Sequence, residues 1–194
     1  MDPLKIDITE INKIMQTLEL SAKYDLALLC VESTIPIWEN YTKDPDSLSY
    51  YDGVGNQFKI EYQDEAGNLH NLERDIISKT IQIVSEATRN PTSQEKELQL
   101  IGAKLKAHSE AIDIWDSWQP FEAETTLLAA HNLVQLYQGK FNGLEEAKLD
   151  LIIQQAVKAI VAAELKTISE MENLLRLQIR QEEPSQPDKA PPIQ

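Results

Sequence analysis

Three histidines, one cysteine and a crowd of carboxylates are the chain's chemically capable side chains. The histidines are His70, His108 and His131. A helical metal site of the Glu-x-x-His kind needs a carboxylate one turn before the histidine, so that both donors face one ion. The residues three before are Gly67, Leu105 and Leu128, so that pattern is absent. His-x-x-x-His, Cys-x-x-Cys, a glycine-rich phosphate loop and the Gly-x-Ser-x-Gly elbow are absent too. The expectation is therefore no metal and no cofactor. His131 shares a polar line with Glu124, Gln135 and Gln138 on an otherwise apolar segment. That line reads as a solvent strip or, less simply, as an acid–base pair of Glu124 and His131. Cys30 is alone, which rules out an internal disulfide and suits a reducing compartment. With no His, Lys or Arg beside it in sequence, it reads as a small buried hydrophobe.

The carboxylates are more distinctive. Between Lys106 and Lys140 there is no Lys or Arg, while Glu110, Asp113, Asp116, Glu122 and Glu124 gather around Trp115, Trp118 and Phe121. Carboxylates around aromatic anchors make a protein-binding patch with a charged rim, or else a solvated acidic face. On the binding reading, the site comprises Glu110, Asp113, Asp116, Trp118, Glu122 and Glu124. Glu61, Asp64 and Glu65 form an auxiliary edge.

The elements that position these residues are mostly helical. Leu98, Ile101, Leu105, His108, Ile112 and Trp115 step by threes and fours from a Thr92/Glu95 capping box. His108 lies in that stripe, where a hydrogen-bonded core histidine is the expected role. Glu110 and Asp113 fall on the solvent side. Asp7 with Glu10 makes a capping-box candidate that opens a first helix, and a second carries Ala27, Val31, Ile35 and Trp38, with Pro36 expected to kink it. Thr42 to Asn71 breaks the pattern: Phe58, Ile60 and Tyr62 alternate, and DEAGN makes a turn, predicting a β-hairpin that must lean on the helices. This stretch is acidic, with seven carboxylates between Glu39 and Glu65 against Lys43 and Lys59. Helix resumes near Leu72. Another, FEAETTLLAAHNLVQLYQ, is greasy nearly all round. A last one runs from Leu144 towards Arg180, about 50 Å if unbroken. That length demands either a bend or a second copy of the chain to pack against.

The reading is a mainly α, single-domain bundle of five to seven helices with a small β-hairpin insertion. The helical domain spans 1–180, the acidic loop and hairpin 45–71, and a disordered proline-rich tail 181–194. A chain of 194 residues suits one core. The net charge of −14 argues against nucleic acid and anionic membrane surfaces and would steer a basic partner toward the protein. No apolar run approaches a bilayer span, and MDPLKIDITE lacks the basic region and apolar centre of a signal peptide, so the expected location is cytoplasmic.

Residues 27 to 47, ALLCVESTIPIWENYTKDPDS, resemble the opening of a helical immunity-protein family of bacterial polymorphic toxin systems. The family's Ala-Leu-x-Cys-Ala-Glu-x-x-Leu-Pro-Leu-aromatic-Glu segment, followed by an acidic proline turn, is matched by Ala27, Leu28, Cys30, Glu32, Pro36, Trp38, Glu39, Asp44 and Pro45. LERDIISKTIQIVSEATRNPTSQEKEL is similar in layout, and Ala129 to His131 has a counterpart. The hairpin region and the last helix lie outside the pattern, which covers at most half the chain. The resemblance implies a cytoplasmic protein that binds and neutralises a cognate toxin without catalysis of its own. An acidic inhibitor of a basic toxin is consistent with the charge. The alternatives are a helical scaffold or adaptor, dimeric through its final helix, and an enzyme built around His131 and Glu124.

Overall fold

The structure, a computed structural model, describes residues 6–44, 48–51, 54–64, 66–90, 93–113 and 121–182. It is a mainly α, multi-helix domain with a small antiparallel hairpin region. The helices are α1 (Thr9–Met15), α2 (Leu20–Glu32), α3 (Ile35–Lys43), α4 (Ile76–Arg89), α5 (Glu95–Asp113), α6 (Phe121–Tyr137), α7 (Glu145–Ala162) and α8 (Ile168–Glu182). Between α3 and α4 stand β1 (Ser49–Tyr51), β2 (Gln57–Lys59), β3 (Glu61–Gln63) and β4 (Leu69–Asn71). No helix among the described residues is long and apolar enough to cross a membrane.

The greasy segment becomes α6, the helix at the centre. Ala123, Leu127, Ala129, Ala130, Leu133 and Val134 are all shut away from solvent. It packs against α3, α4, α5 and α7. The approach of α5 is close. A Cβ added at Gly102 would stand 3.1 Å from Gln138 Nε2 and 3.2 Å from Val134 Cγ1, so only glycine fits at this crossing without a shift. The stripe expected on α5 is the buried one, Leu98, Ile101, Leu105, His108 and Ile112. Thr92 and Trp115 lie outside the described residues.

Four local expectations change. Asp7 accepts the Thr9 N–H at 2.9 Å, while Glu10 turns to Lys13 instead of closing a capping box. Pro36 does not kink a continuous helix. The chain ends α2 at Glu32 and begins α3 at Ile35, which puts Pro36 in a first turn where its missing N–H breaks no helical bond. The single hairpin is two: β1 pairs with β2, and β3 with β4. Apolar alternation persists through Ile60 and Tyr62, both buried, and fails at Phe58, which is exposed. The long last helix is broken. Glu164 sits at φ 55, a left-handed conformation that stops α7. Thr167 then opens α8 with a reciprocal capping box: its hydroxyl accepts the Glu170 N–H at 3.2 Å, and Glu170 Oε2 accepts the Thr167 N–H at 2.7 Å. The bend folds α8 back onto α1 and α2, with Met171 and Leu175 buried. Of the two outcomes, the bend is the one the chain takes. The tail beyond Glu182 lies outside the described residues.

One buried cation ties the bundle together. Lys23 on α2 is 1% exposed. Its Nζ lies 2.8 Å from Glu146 Oε1 and 2.9 Å from Asp150 Oδ1, both on α7, the second an ionic contact off the hydrogen-bond direction. Burial alone would favour the neutral amine; the two carboxylates outweigh it and hold the Lys23 pKa above its ordinary value.

Candidate functional site

Two of the predicted site residues, Asp64 and Glu110, are 46 positions apart in sequence and line one groove between the β3–β4 hairpin and α5. The groove holds about 890 Å³ and also takes in Tyr62, His70, Glu73, Lys96, Leu100, Lys104 and Lys106.

The hairpin is shaped by Asp64. Its Oδ1 accepts the N–H groups of Ala66 at 3.0 Å and Asn68 at 2.8 Å, an Asx-type turn that lets Gly67 adopt φ 88. Oδ2 faces Nε2 of His70 at 2.8 Å. Hydrogen bonds from Asn68 first, then from His70, hold the Asp64 carboxyl well below the usual carboxylate range. The register sets Tyr62 opposite His70, with the rings stacked at 5.3 Å. On its other side Tyr62 stacks on His108 at 4.3 Å, which anchors the hairpin to α5.

Glu73, just before α4, is the hub. Its carboxylate accepts from Lys104 Nζ at 2.6 Å, Tyr62 Oη at 2.9 Å and Lys79 Nζ at 3.2 Å. Its carbonyl accepts the Trp38 indole N–H at 2.9 Å, and its own N–H donates to His108 Nε2 at 2.8 Å. Because a backbone N–H can only donate, Nε2 must be the unprotonated nitrogen. The proton therefore sits on Nδ1, which donates to the Lys104 carbonyl at 2.8 Å. His108 is the satisfied core histidine its place in the stripe predicts. Burial is the main cause that pushes its pKa down to about 4. Glu73 would be raised by burial alone, but Lys104, Tyr62 and Lys79 reverse that and hold it at about 2. Burial, and then the Glu73 carboxylate, push the Tyr62 hydroxyl up to about 12.

Neither Glu73 nor this network was foreseen from sequence. Lys104 four residues before His108 was legible as one helix face, but their shared partner lies 31 positions before Lys104. The groove is also less acidic than expected. Lys96, Lys104 and Lys106 enter it, and Lys106 pairs with Glu110 one turn on at 3.4 Å.

The other predicted residues are placed as follows. Glu61 is exposed on β3. Asp113 closes α5, and Glu122 and Glu124 occupy the first turn of α6, half-buried. Asp116, Trp118 and Glu65 lie outside the described residues. His131 and Glu124 stand two turns apart on α6, about 10 Å along the axis. His131 Nε2 is bonded instead to the Gln135 amide at 2.5 Å. Burial, followed by Lys140, Lys106 and Lys148, lowers the His131 pKa. Cys30 is buried, and that burial pushes its thiol up to about 12, so it stays protonated at neutral pH. Among the described residues, no group of three His, Cys, Asp or Glu side chains converges as metal ligands would. Compared with protein-family models, with curated proteins and with solved structures, the chain finds no match in any of the three.

Proposed function

We propose that this is a non-catalytic acidic binding protein, an immunity protein of the cytoplasm that binds and neutralises a basic cognate toxin. The observation carrying the binding reading is the hairpin–α5 groove. Its rim brings Asp64 and Glu110 together, and Leu100 lies 62% exposed within it. Its acid–base groups are engaged by the protein itself. His108 has both nitrogens bonded, the Tyr62 hydroxyl donates to Glu73, and the Glu73 carboxylate receives three donors. Such a network holds a surface in shape for a partner, whereas general acid–base work needs a proton carrier open to substrate. An apolar anchor inside a charged rim is the composition of a protein-binding patch. The toxin as partner follows from the resemblance over residues 27 to 47, and the net charge of −14 is consistent with a basic one.

The test is rescue of growth. The partner captured by the wild-type protein should arrest cells that lack this protein, and co-expression should restore growth. Leu100→Ser and Glu110→Lys should each weaken capture at least about tenfold while the proteins stay folded, because both side chains are exposed. Trp118→Ala should do the same if the aromatic end of the predicted patch contributes. A captured partner that is harmless on its own would sink the toxin reading. Variants that bind as well as wild type at moderate salt would remove the groove.

A further inference from the structure

A second surface lies where the start of α2, the loop joining α6 to α7, and the first turns of α7 meet. Two adjoining grooves share Glu145. One, about 590 Å³, is lined by Leu20, Leu144, Glu146 and Asp150. The other, about 560 Å³, counts Tyr24, Leu98, Leu136, Tyr137 and Phe141 in its apolar lining, together with Asp25. Leu20 and Leu144 are 47% and 64% exposed, a large apolar area left in water beside the grooves.

The charge around these leucines is predominantly negative. Glu19, Asp25 and Glu146 are exposed and Glu145 is half-buried. Of the nearby cations, Lys23 is spent internally on Glu146 and Asp150, and Lys148 lies 4.2 Å over the Phe141 ring while donating to Asn132. Lys140 stands on the loop itself. Glu19, Asp25 and Glu145 have no cation within ion-pair distance among the described residues. The Tyr24 and Tyr137 hydroxyls register the field: burial first, then Glu145 for Tyr24 and Asp25 for Tyr137, raise their pKa values.

We propose that this surface docks an amphipathic helix of a partner protein, its apolar stripe seated on Leu20, Leu144 and the Tyr24–Phe141 groove. Lys or Arg residues on its flanks face Glu19, Asp25 and Glu145. The inference rests on the partner-binding reading above and adds a recognition element away from the hairpin groove. The occupant is a helix because the surface is built from helices and a loop, with no strand edge to extend. A second copy of the chain is disfavoured, since a two-fold contact would set this acidic rim against itself. The chain's own last residues, EPSQPDKAPPIQ, carry Glu183 and Asp188 against Lys189 and offer no complementary charge.

The experiment uses the whole 194-residue chain and a fluorescent helical peptide of leucine and lysine with all its leucines on one face, titrated by anisotropy at about 0.15 M salt. The expected result is saturable binding, weakened at least about tenfold by Leu20→Ser with Leu144→Ser and by Asp25→Lys with Glu145→Lys. Glu110→Lys, at the hairpin groove, should leave it within about twofold. A scrambled peptide of the same composition should bind at least about tenfold more weakly. Equal binding of the scrambled peptide, equal loss in the hairpin-groove variant, or no binding at that salt overturns the proposal. Because no toxin enters this assay, its failure leaves the growth-rescue test standing, and failed rescue does not alter its outcome.

Discussion

The backbone N–H of Glu73 donates to Nε2 of His108 at 2.8 Å, a bond that only a neutral imidazole can accept. One hydrogen bond thus couples the entry to α4 with the buried face of α5, and it makes the tie between them sensitive to acid.

Stability should fall on mild acidification because of that bond. His108 has an ordinary value of 6.5 and is pushed down to about 4 in the folded protein. Between those values the unfolded chain takes up a proton that the folded one refuses, so the contribution is intact above about 6.5 and is lost as pH falls to about 4. The full loss is about 3 kcal/mol. Urea unfolding at a series of pH values should show this slope in wild type and a flatter one in His108→Gln. Equal slopes in the two proteins would mean that other groups govern the acid response.

Glu73→Ala should be among the most damaging single changes outside the apolar core. It strips three donors of their acceptor and leaves Lys104 and Tyr62 partly buried without a partner, at a cost of about 3 kcal/mol. Glu73→Gln, which keeps an acceptor oxygen, should cost less. Glu73 is depressed from 4.5 to about 2, so its share is present above 4.5 and disappears as pH falls toward 2. Denaturation midpoints of the two variants at neutral pH check the order.

Lys23 separates packing from charge. Lys23→Ala should lose about 3 kcal/mol, since it opens a cavity at a site 1% exposed and leaves Glu146 and Asp150 facing each other. Lys23→Met fills the space without charge and should lose less than Lys23→Ala, the difference being the cavity, while Glu146 and Asp150 stay unpaired in both. A methionine variant as unstable as the alanine one would show that the ion pair itself dominates.

Glu164→Gly should raise stability by up to about 1 kcal/mol, because glycine adopts φ 55 without the penalty a side chain meets there. Thermal unfolding of this variant beside Glu172→Gly, a substitution within α8 that should destabilise, separates relief of strain from a general effect of glycine.

Helical periodicity made the buried stripe of α5 and the enclosure of α6 legible, because burial of one face and spacing along the chain are the same fact seen twice. It missed features that belong to no period. Lys23 reads as a solvent-facing charge until α7 supplies two carboxylates more than a hundred positions later. Glu73 sits in a loop, where sequence offers no sign that four elements converge on it. The joining of Asp64 to Glu110 is likewise tertiary, set by the stack of Tyr62 on His108. One missed feature was readable: Thr167 and Glu170 have the spacing of a capping box, which marks the start of α8 inside what looked like an unbroken helix.

The left-handed residue that ends α7 has a kinetic side. By returning α8 to α1, it makes the chain's closing contact one between segments about 150 positions apart. A seven-residue helix such as α1 cannot persist alone in water, so it depends on its packing against α8 and, to a lesser extent, α7. The first and last helices should therefore open together in local unfolding, because their mutual contact closes the longest loop in the fold. In native-state hydrogen exchange, amides of Ile14 and Met15 should open with the same free energy as those of Met171 and Leu175, and below that of α6. Cleaving the chain between α7 and α8 should release both ends of the molecule at once.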